Sequence, residues 1–329
     1  MLPRALLLLG MVAALAAAGC GGGNAQGDET KLPTVVEGAN QPKLGEFPKP
    51  RGRTLKQLAE TVPDGPHAAL AASLFLPGKQ RLAFGLIDDS RKFVYASTAV
   101  YLAPTIDAPA RGPYLAPLDS IVPRTAYRSR TTASDPAAIK AIYSADIPLT
   151  KPGPMAALVL SKRGEQVSRS LLGFKVSRSS PIPNVGDRPP HIDTPTVESA
   201  SGNLAAIDTR VPPDTMHDVS FKDVIGRKPV ALLFATPLLC QSRVCGPVTD
   251  IAEQLKARYG SRIAFIHQEV YNQNTVAKGL RPQLTAFHLQ TEPWLFTFDR
   301  SGRVAARLEG SFGLHAMSQA IEAALDDRR

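Results

Sequence analysis

The sequence has few aromatic residues and no cluster of basic ones. Phe, Trp and Tyr make up 6% of the 329 residues, and the basic residues that give a formal net charge of +9 are scattered along the chain. Nucleic-acid-binding domains gather basic residues on one face or in one stripe. The composition therefore argues against a nucleic-acid partner, and the positive charge instead favours attraction to an anionic membrane surface.

Long apolar runs are absent after the N-terminal segment. No later stretch approaches the roughly 20 apolar residues that are needed to cross a bilayer. Residues 5–18 are almost wholly apolar, but they follow Arg4 and end in small residues, so residues 1–19 are predicted to be a cleaved signal peptide. Ala17-Ala18-Gly19-Cys20 resembles the lipobox of bacterial lipoproteins. That resemblance implies lipidation of Cys20 and a lipoprotein anchored in the cell envelope, at the outer face of the cell membrane. The alternative is an ordinary secretory signal.

Cysteine is scarce, with three in the whole chain. If Cys20 is acylated, Cys240 and Cys245 remain as an even pair in an oxidising compartment, where one bridge is expected. They lie between an apolar segment and a stretch with helical character. The free N–H groups and partial positive charge of a helix N-terminus stabilise a thiolate, which is the reactive form of cysteine. The pair is therefore placed for redox chemistry.

Composition divides the chain into further regions. Residues 20–65 are rich in Gly, Pro, Asn and charge, which predicts a flexible tether. Residues 66–180 contain short β-like segments separated by Pro/Gly turns, which predict an antiparallel sandwich. The pattern Tyr-x-Ala-x-Ile-Pro at 143–148, followed by a turn and a strand, resembles immunoglobulin-like modules of bacterial surface proteins and implies a spacer or docking module. Residues 181–202 are predicted to be a Pro-rich linker, and residues 203–329 a second domain.

This C-terminal domain has a readable order of elements. The pattern predicts a buried strand, a helix, a second strand, a further helical stretch, a hairpin and a closing helix, at Val230–Ala235, 249–259, 263–270, 284–288, 294–309 and 315–325. A βαβ unit followed by a ββ hairpin and a helix predicts an α/β sheet with one antiparallel half.

The position of Pro247 predicts which cysteine lies in the helix and which lies in the loop before it. Proline is tolerated in the first turn of a helix, so the helix is predicted to start at Cys245, with Cys240 in the loop before it. Cys245 is then nearer the helix N-terminus and is expected to have the lower pKa and to act as the first nucleophile. Cys240 would resolve the mixed disulfide.

Two motifs, together with the buried strand that leads into the cysteine loop, carry a resemblance to the thioredoxin superfamily. Cys245-Gly246-Pro247-Val248 resembles the Cys-Gly-Pro-Cys of thioredoxin with its last cysteine replaced, and the run from Glu292 to Val304 is similar to the proline, strand and turn segment of TlpA-like thioredoxins. The resemblance implies a thioredoxin-like fold, a cis Pro293 against the cysteines, and a thiol–disulfide oxidoreductase without a cofactor. Its partners would be protein thiols or disulfides of the cell envelope. The substrate groove would include Thr236, Pro237, Gly246, Pro247 and Trp294.

A thiol peroxidase is the second hypothesis. The C-x4-C spacing after Thr236-Pro237 resembles peroxiredoxins of the bacterioferritin-comigratory type, which implies that Cys240 attacks peroxide and Cys245 resolves it. Thr236, however, lies four residues before Cys240 rather than three, and Gln290-Thr-Glu292 stands where those enzymes have an arginine.

The remaining hypotheses are binding or structural modules. Cys240, Cys245 and His217, with His267 nearby, loosely resemble the copper site of Sco-type chaperones, and soft thiolates with imidazole suit copper. No other metal site is expected. A Cys240–Cys245 bridge that only staples one loop is the last alternative, since secreted proteins use such bridges.

Overall fold

The structure, a computed structural model, describes residue 36, residues 39–134 and residues 138–326. The predicted signal peptide and Cys20 lie outside the described residues. Within these ranges, every helix is too short or too polar to span a bilayer.

Two antiparallel sheets of four strands each form the first half of the described chain, in the orders β1-β2-β6-β5 and β4-β3-β7-β8. They face each other across a common apolar core to which both contribute, for example Phe84 and Tyr143 from one sheet and Val100 and Val159 from the other. The strands are His67–Leu70 (β1), Gly78–Ile87 (β2), Ser97–Ala103 (β3), Arg111–Leu115 (β4), Leu118–Ser120 (β5), Ala141–Leu149 (β6), Gly153–Arg163 (β7) and Gln166–Val176 (β8).

The strands that the sequence pattern did not indicate are short. These are β1, β4 and β5, of three to five residues each. Strand β4 contains Gly112 and Pro113 and lies at the edge of its sheet. Proline cannot donate to a strand ladder and is confined to such edges, so composition concealed this strand.

Residues 39–65 differ from the predicted tether, because they are packed against the sandwich. Phe47 and the helix Leu55–Ala59 (α1) lie on the outer face of the β3–β7 sheet, where Leu55 and Leu58 are fully buried beside Tyr101. The Tyr101 hydroxyl donates to the carbonyl of Pro48 at 2.7 Å. A few well-spaced apolar side chains therefore anchor a segment whose average composition is that of a loop.

The C-terminal sheet has the order β10-β9-β11-β12, with β9 and β10 parallel and the other pairs antiparallel. Its strands are Val230–Phe234 (β9), Ala264–Gln268 (β10), Trp294–Phe298 (β11) and Val304–Glu309 (β12). The helices after α1 are Arg130–Ser134 (α2), Phe221–Val224 (α3), Cys245–Tyr259 (α4), Pro282–Ala286 (α5) and Leu314–Leu325 (α6). The βαβ unit, hairpin and closing helix predicted from the sequence are all present.

The predicted linker is also packed, along the edge of the C-terminal sheet. The N–H of Gly186 donates to the carbonyl of Val304, and the N–H of Val304 donates to the carbonyl of Asp187, at 2.8 and 2.9 Å. Ile192 is buried in the core beneath this sheet. The segment gains order from backbone pairing with β12, which its proline content did not reveal.

The two halves of the chain share an apolar core. Ile121 and Ile142 of the sandwich pack with Val248 of α4 and Met317 of α6. Asp119 accepts hydrogen bonds from three backbone N–H groups at the start of α6, those of Gly313, His315 and Ala316. The sandwich is thus joined to the helices that carry the cysteine loop.

Candidate functional site

The two cysteines lie where β9 gives way to α4. Helix α4 begins at Cys245 and has Pro247 in its first turn, and Cys240 lies in the loop before it, as predicted. Both are free thiols; Cys245 is fully buried, whereas Cys240 is partly exposed. One atom from each of Cys240, Cys245 and Glu292 lies within 4.8 Å of the others. We call these three residues the cysteine cluster.

Cys240 is the acidic thiol of the cluster. A hydrogen bond from the Cys245 side chain is the main cause that lowers its pKa, to about 6, against the opposing effect of burial. Ser242 assists, with its hydroxyl 3.2 Å from the Cys240 sulfur, and so do the backbone N–H groups of Ser242 and Cys245. Cys240 is therefore largely a thiolate at neutral pH.

Cys245 has the opposite character, so the expected order of the two thiol pKa values was wrong. Burial first, and then its hydrogen bond to Cys240, raise the pKa of Cys245 well above its ordinary value. Residues of the sandwich half contact α4: the Ser129 N–H donates to Asp250 at 2.9 Å, and the Arg124 N–H donates to Gln254 at 2.7 Å. At Cys245, burial therefore outweighs the lowering of the thiol pKa that was expected from a position at the helix N-terminus.

Glu292 is a site residue that the sequence analysis missed. Burial, followed by the negative charges of Cys240 and Glu269, raises its pKa to about 8. Its Oε2 atom makes no hydrogen bond to any described residue. The Glu292–Pro293 peptide is cis, as the resemblance implied. Position directly before that proline was the one signal in the sequence that pointed to Glu292.

The predicted groove residues surround the cysteine loop, but most are closed to solvent. Thr236, Pro237, Gly246 and Pro247 are all buried. A Cβ atom on Gly246 would lie 3.3 Å from the hydroxyl of Thr132 in α2, so α2 occupies the space beside this glycine. The exposed apolar residue next to Cys240 is instead Leu238, whose exposed fraction is 62%.

Trp294 lies away from the place predicted for it. Side chains alternate along a strand, and Trp294 shares a face of β11 with Phe296 and Phe298, whereas Leu295 faces α4. The Trp294 ring stacks on Phe296 with centroids 5.7 Å apart, and its Nε1 donates to Thr291. Trp294 is therefore a core residue on the sheet face opposite α4.

A second group of titratable side chains lies near the first. Asp208, Asp214, His217 and His267 each place one potential ligand atom within 4.8 Å of the others, and all four are buried. We call them the histidine–aspartate cluster. Among the described residues, His217 belongs to this cluster and not to that of the cysteines, so the structure does not assemble the predicted Cys240–Cys245–His217 copper site.

Ion pairing organises this second cluster. His267 Nδ1 lies 2.7 Å from Asp214 Oδ2. Burial alone would lower the pKa of His267, but the charge of Asp214 outweighs it and raises that pKa. His267 Nε2 lies 3.1 Å from the carbonyl of Ala235, one residue before Thr236, whose backbone N–H bonds to Cys245.

No protein-family model matches the chain, and no curated protein matches it. Among solved structures, it is similar to a putative thiol:disulfide interchange protein DsbE from Chlorobium tepidum, with 18% identity, a TM-score of 0.31 and coverage of 44% of this chain and 99% of that one. A thioredoxin family thiol:disulfide interchange protein from Chlorobium tepidum TLS shows 17% identity and a TM-score of 0.28, covering 45% of this chain and 99% of that one. MTB dsbF shows 16% identity and a TM-score of 0.27, covering 37% and 96%. The structural neighbours are thioredoxin-like thiol:disulfide interchange proteins that cover less than half of the chain.

Proposed function

We propose that the chain is a thiol–disulfide oxidoreductase in which Cys240 is the first nucleophile and Cys245 the resolving thiol. One observation carries the proposal: a partly exposed thiol with a pKa of about 6 lies against a buried thiol at the start of a helix. A structural cysteine has no need of a stabilised thiolate, whereas thiol–disulfide exchange proceeds through one.

The reaction has two steps. The Cys240 thiolate attacks one sulfur of a substrate disulfide, the substrate S–S bond breaks, and the other substrate sulfur leaves as a thiolate that takes up a proton from water. Cys245 then loses its proton and attacks the Cys240 sulfur, which releases the second substrate thiolate and forms the Cys240–Cys245 bond. The protein dithiol gives up two electrons, and the substrate disulfide gains them. The reverse sequence oxidises a substrate dithiol.

Glu292 is the proton acceptor in the second step. Its carboxyl group lies within 4.8 Å of both sulfur atoms. The negative charge of Cys240 is one cause of its raised pKa. Formation of the mixed disulfide removes that charge, so the pKa of Glu292 falls when Cys245 must lose its proton. A general base is most effective when its pKa lies near the working pH.

The substrates of this proposal are protein thiols or disulfides of the cell envelope. Leu238, exposed two residues before Cys240, offers an apolar contact to a polypeptide. Thr236, Pro237, Gly246 and Pro247 would then support the loop from within rather than touch the substrate. Small-molecule thiols would make no such apolar contact with Leu238, so this residue would favour polypeptide substrates.

The proposed location rests on the sequence motif around Cys20. Under this proposal residues 1–19 are removed, Cys20 is lipidated, and the protein is held at the outer face of the cell membrane. The sandwich within residues 66–180 serves as an immunoglobulin-like spacer or docking module, and the thioredoxin-like domain within residues 203–329 carries the chemistry. The packing of residues 39–65 and of 181–202 supports a compact unit with little free linker.

A thiol peroxidase remains the second candidate, because an accessible acidic Cys240 with Cys245 behind it also suits attack on peroxide. In that reaction the Cys240 thiolate attacks one peroxide oxygen and becomes a sulfenic acid, while the O–O bond breaks and the other oxygen leaves as hydroxide or alkoxide that takes up a proton. The Cys245 thiol then condenses with the sulfenic acid to form the disulfide and water. Oxidation of Cys240 by hydrogen peroxide at a rate far above that of free cysteine would favour this candidate.

The reduction potential of the Cys240–Cys245 pair tests the main proposal. It is measured on the full-length protein in detergent by equilibration with glutathione, with Cys245→Ser as the control that cannot form the bridge. A working redox couple is expected to fall between about −120 and −270 mV. A potential below about −300 mV would identify a structural bridge and overturn the proposal.

A further inference from the structure

The histidine–aspartate cluster has no role in the proposed thiol chemistry. Its members come from two segments: Asp208, Asp214 and His217 precede α3, and His267 lies on the edge strand β10. The backbone N–H of His267 donates to the carbonyl of Met216 and holds the segments together. We propose that these four side chains bind one divalent transition-metal ion, for which Zn²⁺ is the best fit.

The spacing of the ligand atoms suits a tetrahedral ion. Zn²⁺ binds nitrogen and oxygen at about 2.0–2.2 Å, which sets an edge of about 3.3–3.6 Å between ligand atoms of a tetrahedron. His217 Nε2 lies 3.4 Å from Asp214 Oδ1 and 3.7 Å from Asp208 Oδ2. His267 Nδ1 lies 2.7 Å from Asp214 Oδ2 and 3.9 Å from Asp208 Oδ1. These nearest nitrogen–oxygen distances bracket the expected edge, and because the two rings face different oxygens of each aspartate, a small rotation of the carboxylates would bring one oxygen of each to a shared ion.

His217 is the observation that points to a ligand. Its exposed fraction is 1%, and neither ring nitrogen makes a hydrogen bond to another described residue. A buried polar group without a hydrogen-bond partner is rare and unfavourable. A metal ion bound at Nε2, the atom that faces the two carboxylates, would satisfy this side chain.

The other three ligands are already oriented by the backbone. The two Asp208 oxygens accept from the N–H groups of Arg210 and Asp214, at 2.7 and 2.6 Å, and Asp214 Oδ1 accepts from Met216. His267 Nε2 contacts the Ala235 carbonyl, and Nδ1 faces Asp214 at 2.7 Å, so metal binding would displace the proton on Nδ1 and leave a neutral imidazole. Metal-ligating histidines almost always donate their second N–H in this way.

The donor set selects the class of ion. Two carboxylates and two neutral imidazoles carry a charge of −2 that a divalent cation neutralises in a buried site. Imidazole favours zinc and its transition-metal neighbours over Mg²⁺ or Ca²⁺, which prefer all-oxygen sites, and the cluster contains no thiolate to favour copper(I).

Zn²⁺ titration by calorimetry tests this site on the full-length protein in detergent, in a Cys240→Ser/Cys245→Ser background so that the thiols cannot take up the ion. One Zn²⁺ per chain is expected. His217→Gln should weaken binding by more than the roughly 10- to 100-fold that loss of a second-shell partner costs. The matched control is His191→Gln, because His191 is an exposed histidine, and its affinity should equal that of the background.

Two further measurements keep the outcome decisive. If His217→Gln does not melt cooperatively, Asp208→Asn replaces it, because the side chain keeps its size. Co²⁺ in the background protein should give the intense visible absorption of tetrahedral coordination without a sulfur-to-metal band. Absence of Zn²⁺ binding, binding insensitive to both variants, or binding only when the cysteines are restored would each overturn the site while leaving the redox proposal untouched.

Discussion

One peptide unit separates the two clusters of titratable side chains: His267 contacts the carbonyl of Ala235, and the N–H of the next residue, Thr236, bonds to Cys245. Each cluster gathers its groups within 4.8 Å. The cysteine cluster opens to solvent at Cys240, whereas all four members of the histidine–aspartate cluster are buried. Solvent access therefore distinguishes the two clusters. An exposed thiolate can react with a substrate, whereas buried charged side chains contact only their neighbours.

The largest effect expected at the cysteine cluster is that of Cys240→Ser. Because a serine hydroxyl does not form the reactive anion at neutral pH, reduction of a protein disulfide should fall by roughly 10³-fold or more. Cys245→Ser should keep the first step and trap the mixed disulfide, which mass spectrometry of the intact protein detects. Trapping by Cys240→Ser instead would restore the order of attack expected from the sequence.

Asp214→Asn tests how much the buried ion pair stabilises the histidine–aspartate cluster. The change keeps the size of the side chain but leaves the buried charge of His267 without its closest partner, which should cost about 3–5 kcal/mol in the free energy of unfolding. Urea unfolding with a chelator present measures this. The control is Asp146→Asn, because Asp146 pairs with Lys79 at 2.9 Å on the surface, where a lost ion pair costs less than about 1 kcal/mol. Equal losses would show that burial does not distinguish these pairs.

The contrast between the clusters also separates what the sequence could predict from what it could not. Strand β11 and the start of α4 at Cys245 followed from apolar patterning and from the limits on Pro247, which are local rules. The burial that raises the pKa of Cys245 is a tertiary property, and residues more than a hundred positions away, such as Ser129 and Thr132, pack against α4. No local pattern reports such packing, so the sequence could not predict that Cys240 rather than Cys245 has the lowered pKa.

The same reason explains the residues that were missed. Glu292, Asp208 and Asp214 acquire their partners through tertiary packing, and in the sequence each is an ordinary acidic residue of a loop. The segment 39–65 was assigned to a tether by average composition, whereas its fold depends on a few side chains such as Leu55 and Leu58. The average composition of a segment does not reveal the few apolar residues that anchor it to the rest of the fold.

Glu292→Gln tests the proton transfer within the cysteine cluster. Without a proton acceptor, Cys245 should resolve the mixed disulfide roughly 10²-fold more slowly, within the range by which a general base accelerates a step. Stopped-flow measurement of both steps is required, since attack by Cys240 should stay within a few-fold of wild type. A control is Glu322→Gln, which removes a carboxylate that bonds to Tyr259 in another part of the domain. Loss of both steps would assign Glu292 to the structure of the loop.

The pH dependence of alkylation reports on Cys240 alone. A thiol with a pKa of about 6 is protonated below that pH and ionised above it, so the rate with iodoacetamide should rise about tenfold between pH 5 and 7 and then level off. Cys245 should not react, because burial raises its pKa and closes access. A rate that still rises between pH 8 and 9 would mean that the hydrogen bond from Cys245 does not stabilise the thiolate.

Leu238→Ser is expected to have the smallest effect on the reaction rate. It tests whether a polypeptide substrate binds beside the cysteine cluster. Partial burial of a leucine side chain against a substrate stabilises a complex by about 1 kcal/mol, so the rate with a protein disulfide should fall about three- to tenfold. The rate with a small disulfide should not change, because such a molecule does not reach Leu238. Leu171→Ser is the matched control, since Leu171 is similarly exposed, at 52%, on β8 of the sandwich. Equal losses with both substrates would place the effect of Leu238 on the loop itself rather than on recognition.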